Sequence, residues 1–245
     1  MITVSLPIRR QYFYTPITIL VFGFLYAYTA VSVLIGTSFA LLRMRGSLHI
    51  VTGFWARSTF WVLGKRVRVI GRENLVKGGR YILVANHSSL FDIMAIMAFY
   101  PGVSWFGREY LLKIPLFGYF LRANGYIPMK QTTVSNTRGM LERLVQNSSG
   151  TTIAIFPEGT RTLTGKLNRF HRGFIHVLRA SDLDILPVPL NVLYSLKPKN
   201  RFYIDFRSKI HVIIHKPIKN EELKRKNDEE IISRVKEVIE SSCLS

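Results

Sequence analysis

One cysteine, Cys243, is all the thiol chemistry that a chain of 245 residues offers. A lone cysteine excludes an intrachain disulfide framework and a cysteine-built zinc site, and it suits a reduced, cytoplasm-facing setting. Acidic residues are also scarce: 15 against 34 Lys and Arg, for a formal net charge of +19. None precedes Glu73. A nucleic-acid binder with such a charge is ordinarily polar, yet 48% of these residues are hydrophobic. Basic and apolar together fit an anionic phospholipid membrane or phosphate-bearing lipid substrates, and speak against nucleic acid as the partner. The sequence also lacks a Gly-x-Ser-x-Gly nucleophile elbow, an internal repeat and a low-complexity segment.

Charge of either sign is missing from Gln11 to Leu42, and Ile17 to Leu42 is mostly Ile, Leu, Val, Phe, Tyr and Ala. As a helix this core would reach roughly 39 Å at 1.5 Å per residue, longer than a hydrocarbon layer of about 30 Å. That length argues against a cleavable signal peptide and for membrane insertion. Gly46 to Gly64 is more polar but carries Trp55, Phe60 and Trp61, the mix of an interfacial helix with aromatic anchors. Basic residues flank both ends of the apolar run, so the positive-inside rule gives no orientation. A two-helix hairpin dipping into one leaflet accounts for that symmetry. Residues 1–64 are thus expected to form a membrane-associated helical segment, and 65–245 a separate folded domain.

Beyond Lys65 the pattern is α/β. Arg66 to Gly71 alternates as a strand, Gly78-Gly79 is a turn, and Tyr81 to Ala85 and Thr151 to Phe156 are buried strands. Val103 to Phe106 is a short strand, and Lys113-Ile-Pro-Leu-Phe-Gly118 punctuates two short helices. Pro128 makes Gly125 to Met129 an edge strand. Helices are expected after Asp92, over Val134 to Gln146, over Arg172 to Ala180 and from Glu221 to about Ser241. Ile185 to Leu190 reads as one strand, and Phe202 to Arg207 with Lys209 to His215 as a hairpin. The expected fold is a mixed, largely parallel sheet flanked by helices.

Two buried strands end in polar clusters. The first runs out into Asn86-His87-Ser-Ser-Leu-Phe-Asp92, and Ser89 stands at capping-box spacing before Asp92. His87 and Asp92 can meet as a base and its orienting acid; equally, Asp92 can merely cap a helix while His87 lines a loop. The second ends in Pro157-Glu158-Gly159-Thr160-Arg161, either an ordinary turn or an anion site. If the strands are parallel neighbours, both clusters share one rim, where ligands of open α/β sheets sit. Arg161 would then hold an anionic group, Gly159 would admit backbone close to it, and Thr160 would offer a hydroxyl. Glu158 would orient Arg161 or accept from substrate. His211 and His215 share a strand face without a third ligand and read as surface residues.

Asn86-His87-Ser-Ser-Leu-Phe-Asp92 resembles the His-four residues-Asp motif of the glycerolipid acyltransferases. Phe156-Pro-Glu-Gly-Thr-Arg161 resembles their third block, Ile185-Leu-Pro-Val-Pro-Leu190 their fourth, Gly107 to Gly118 the segment between, and Asn168 to Gly173 the basic-aromatic stretch after the third. The likeness spans Tyr81 to Leu190, and its nearest branch looks like bacterial 1-acyl-glycerol-3-phosphate acyltransferases. It implies that His87 is a general base oriented by Asp92, that Glu158, Gly159, Thr160 and Arg161 bind glycerol phosphate, and that no covalent acyl-enzyme forms. It also implies lysophosphatidic acid as acceptor, acyl-CoA or acyl carrier protein as donor, no cofactor or metal, and the cytoplasmic face of a cell inner membrane. The family's second block commonly ends in an acidic residue and Arg. Here Gln131 takes the Arg position and Lys130 supplies a charge one place earlier, without Arg's bidentate fork. Rival readings keep the chemistry with glycerol-3-phosphate, another lysophospholipid or an amino-acid-derived lipid as acceptor, or make the chain a non-catalytic basic membrane-binding protein.

Overall fold

The computed structural model describes residues 8–129 and 152–243. The expected helix from Val134 to Gln146, Lys130 and Gln131 lie outside the described residues. The chain opens with α1 (Ile8–Leu41) and α2 (Arg45–Val62), an antiparallel hairpin whose turn holds Arg43 at a φ of 57°. Then follow β1 (Arg68–Ile70), β2 (Tyr81–Val84), α3 (Asp92–Met97), β3 (Ser104–Arg108), α4 (Phe117–Ala123), β4 (Ile127–Met129) and β5 (Ile153–Ile155). The rest is α5 (Gly173–Arg179), β6 (Asp184–Pro187), β7 (Leu190–Asn191), α6 (Leu193–Leu196), β8 (His211–Ile213), α7 (Asn220–Lys224) and α8 (Asp228–Glu240).

Tyr12–Leu41 is long and apolar enough to cross a membrane by length and composition. Its buried face mixes Leu25 and Val33 with small and hydroxyl-bearing residues, and its exposed face is largely apolar. Thr18, Ser32, Gly36 and Thr37 are buried against the protein, whereas Ile19, Leu20, Phe24, Leu34 and Ile35 are exposed. Small side chains let neighbours approach, and hydroxyls tie them together, as between helices in lipid. A Cβ on Gly36 would come within 2.5 Å of the Phe120 ring. Trp55 Nε1 donates to Thr29 Oγ1 at 3.0 Å, and Tyr28 and Ser58 share a 2.6 Å hydroxyl bond across the hairpin. Thr18 Oγ1 accepts the Ile204 N–H at 3.0 Å, so α1 also grips the loop before β8. Of the aromatics expected as anchors on α2, Trp61 is exposed, Trp55 is half-buried and Phe60 is buried in the core; Phe54 is exposed as well.

The main sheet has the order β4-β3-β5-β2-β6, every neighbouring pair parallel. A second sheet, β1-β8-β7, pairs β1 and β8 parallel and β8 and β7 antiparallel. The two together are the expected mixed, largely parallel arrangement. All four residues of β2 are buried because both of its faces are covered. Leu83 and Ala85 join Phe60, Phe91, Ala95 and Ile96 in a core under the hairpin and α3. Ile82 and Val84 join Phe174, Leu178, Ile231 and Val235 in a core under α5 and α8. Pro128 sits in the edge strand β4, where its missing N–H breaks no inner ladder.

Three element expectations are corrected. Ile185 to Leu190 is not one strand: β6 pairs with β2, and β7 leaves for the other sheet. Between them Pro189 has no N–H to continue the ladder. The Asn86 amide bridges the gap, donating to the Leu190 carbonyl at 3.0 Å and accepting its N–H at 2.7 Å. Phe202 to Arg207 forms no strand, because its backbone is committed elsewhere: Ile204 N–H to Thr18, Asp205 N–H to the Leu196 carbonyl, and Arg207 N–H to Asp205 Oδ1. The C-terminal helix is interrupted. Asn227 and Glu230 form a reciprocal capping box that starts α8 afresh after α7.

Candidate active site

Because β2 and β5 are hydrogen-bonded parallel neighbours, with Val84 level with Ile155, their two polar exits lie side by side. His87 is clamped there by its backbone: its N–H donates to Glu158 Oε1 at 2.7 Å and its carbonyl accepts the Thr162 N–H at 2.9 Å. The imidazole lies over the Phe156 ring, centroids 4.1 Å apart and planes 12° from parallel, and Phe156 stacks on Trp105 in turn. Nδ1 lies 2.8 Å from Asp92 Oδ2, and the imidazole side chain is 19% exposed.

Asp92 is fully buried in the first turn of α3. Its Oδ2 also accepts the N–H groups of Ser88 at 2.6 Å and Ser89 at 2.8 Å. A carboxylate accepting two backbone donors cannot swing away, so it fixes the ring. The expected capping box is corrected here. Asp92 does reach back to the Ser89 backbone, but the Ser89 hydroxyl, which donates to the Lys197 carbonyl at 2.8 Å, accepts the Phe91 N–H at 3.4 Å and not that of Asp92. Phe91, inside the same motif, is buried between Phe22 of α1, stacked at 6.4 Å, and Phe60 of α2, tilted at 6.1 Å. The motif is therefore held from below by the hairpin.

In the second cluster Gly159 has a φ of 65°, in the left-handed region that favours glycine. Gly159 and Thr160 are exposed on the rim and Arg161 is half-buried, without a carboxylate partner among the described residues. Glu158 is turned the other way. It is buried, Oε1 bonded to His87 N–H and Oε2 to Asn168 N–H at 2.9 Å. It joins β2, β5 and the loop after Arg161, where it was expected to orient that arginine or accept from substrate. Burial raises its pKa, against the opposing pull of those two backbone donors. Lys197, which the sequence reading missed, lies close enough to Arg161 and Arg201 that these charges add to burial in lowering its pKa.

A family model described as Acyltransferase matches residues 66–191, which include both clusters. The chain belongs to the acyltransferase family. Among relatives, the 1-acyl-sn-glycerol-3-phosphate acyltransferase of Saccharomyces cerevisiae is 30% identical over 209 residues, 80% of this chain and 67% of that protein. The chloroplastic 1-acyl-sn-glycerol-3-phosphate acyltransferase LPAT1 of Arabidopsis thaliana is 27% identical over 77% of this chain, which spans only 54% of that longer protein. The crystal structure of the 1-acyl-sn-glycerophosphate acyltransferase PlsC from Thermotoga maritima matches with a TM-score of 0.77 and 27% identity, covering 93% of this chain and 96% of that one.

The remaining candidates of this chain fall outside the cluster. Burial pushes the Cys243 thiol up to about 11, so it stays protonated at neutral pH and is a poor nucleophile. His211 and His215 were expected at the surface and are half-buried, because β8 is the middle strand of its sheet. Among the described residues no three His, Cys, Asp or Glu side chains group as metal ligands.

Proposed function

We propose that this chain transfers a fatty acyl group from a thioester donor to the sn-2 hydroxyl of 1-acyl-glycerol-3-phosphate, giving phosphatidic acid. The observation that carries the reading is the 2.8 Å His87–Asp92 pair on one rim with Arg161, which has no carboxylate partner among the described residues. The Asp92 carboxylate accepts the Nδ1 proton, which leaves the lone pair on Nε2. Nε2 takes the acceptor hydroxyl proton as that oxygen attacks the thioester carbonyl carbon. The C–O bond forms, the C–S bond breaks, and the leaving thiolate recovers the proton from His87. The step as written balances without cofactor or metal. Phe156, face-on to the imidazole, stabilises its transient positive charge.

Arg161 holds the acceptor phosphate, with Gly159 and Thr160 beside it and Lys130 as a further cation. Glu158 serves the same site indirectly, by fixing the backbone of His87. Acyl-CoA and acyl carrier protein are both acidic donors that a +19 chain attracts. The hairpin lies in one leaflet on the cytoplasmic face of the inner membrane, with residues 65–245 above it. Supporting this, α1 packs on the domain at both ends, Tyr14 against Phe206 and Gly36 against Phe120, as a hairpin lying alongside the domain would.

Purified protein offered a panel of acceptors with each donor tests the reaction. Phosphatidic acid formed from 1-acyl-glycerol-3-phosphate, and lost in His87→Ala without a fall in Tm, is the expected result. Near-normal transfer by His87→Ala would sink the catalytic assignment. Carbonate washing should leave the full chain on membranes; its release would overturn the hairpin reading.

A further inference from the structure

At the end of α2 farthest from its turn, a cavity of about 310 Å³ opens between α2, β1 and the end of α3. Arg57, Trp61, Arg66, Val67, Val69 and Arg72 line it, and Ala98 closes it. It stands apart from the His87 site. Asp92 begins α3 and Ala98 follows its last residue, so the two are separated by about 9 Å of helix at 1.5 Å per residue. Arg57 Nη1 donates to the Ala98 carbonyl at 3.1 Å. Arg66 and Arg72 are exposed and have no carboxylate partner among the described residues. Among the described residues, three guanidinium groups and no acid line one concavity.

The surroundings define the ligand. Ile50, Phe54, Arg57 and Trp61 fall on one exposed face of α2, spaced so that Arg57 interrupts an apolar stripe. Phe54 and Trp61 meet edge-on, centroids 6.0 Å apart. Exposed aromatics beside arginine forks are the chemistry of a lipid interface: rings sit among the acyl chains and glycerol, and guanidiniums clamp phosphate. We propose that this cavity binds the phosphate headgroup of an anionic membrane lipid, at a site separate from His87. It would hold the hairpin in one rotational setting on the membrane, with Trp61 marking the interface.

The proposal rests on the hairpin lying in the membrane, and the test keeps the two apart. The full chain with R66Q and R72Q is compared with the unaltered chain and with R225Q and R234Q, two exposed arginines beside α7 and on α8, across the sheet. Arg57 is left intact because it caps α3. Binding is measured to phosphatidylcholine vesicles and to vesicles of four parts phosphatidylcholine and one part phosphatidylglycerol. The cavity variant should lose about thirtyfold in affinity for the mixed vesicles, at about 1 kcal/mol for each of the two interfacial arginines, and the control variant much less. All three proteins should bind phosphatidylcholine alike, which reports the hairpin; the difference between vesicle types reports the cavity. Equal losses in both variants would reduce the effect to net charge and overturn the proposal. Inorganic phosphate as competitor separates the sources. Displacement of the arginine-dependent binding beyond that by chloride at matched ionic strength would assign free phosphate and overturn the lipid.

Discussion

At the scale of single residues, the proposed mechanism has one carboxylate set the tautomer of one imidazole. Asp92→Asn keeps the volume but can present an N–H to Nδ1, which would move the ring proton to Nε2 and remove the base. Steady-state kinetics should show kcat down by about 100- to 10,000-fold with KM for the acceptor little changed. Arg161→Ala should do the reverse, raising the KM for a phosphorylated acceptor by about 10- to 100-fold, the range of a charge-assisted hydrogen bond. An unchanged KM would put the anion elsewhere. The His87–Asp92 pair was legible because its partners lie five positions apart around a helix start. The job of Glu158 was not. Its partners are backbone N–H groups, one of them 71 positions away, and no spacing rule announces a carboxylate that accepts from distant main chain.

At the scale of elements, the interface of the hairpin with the catalytic motif is the most exposed to test. Phe91→Ala empties the space between Phe22 and Phe60 and should cost about 3–5 kcal/mol, seen as a lower Tm, with faster proteolysis of the turn at 42–44. Gly36→Leu should separate α1 from Phe120 and lower Tm in the same way, because there is no space for a side chain. The buried parallel strands were readable as short apolar runs, and the edge strand from Pro128. Errors came where a local signal was outvoted. The alternation of Phe202 to Arg207 looked like a strand, but Thr18 and Leu196 had already taken its hydrogen bonds. The break before α8 was visible as Asn227 three residues before Glu230, overlooked beneath a continuous apolar stripe.

At the scale of the molecule, stability should depend on pH through half-buried histidine. Burial lowers the pKa of His215 from 6.5, and its Nε2 has no partner among the described residues. A base with a depressed folded pKa stabilises the fold above its unfolded value and loses that contribution as pH falls through the folded one. Tm should therefore drop as pH is taken below about 6.5, and His215→Phe should flatten that slope. A mixed, largely parallel sheet was legible from the order of elements. The way residues 8–62 join the main core was not, because Thr, Ser and Gly facing inward carry no hydrophobic signal of their own.

The ring of Phe91, held between the two hairpin helices, has a consequence for geometry. On the proposed reading, the base His87 stands four residues from a side chain whose height is set by helices lying in the leaflet. The path from Phe22 and Phe60 through Phe91 to His87 would then act as a depth gauge. It would fix how far above the acyl chains a hydroxyl must ride to be acylated. A lysolipid would meet the base without leaving its monolayer, and acceptors would be sorted by the level of their hydroxyl as well as by their charge.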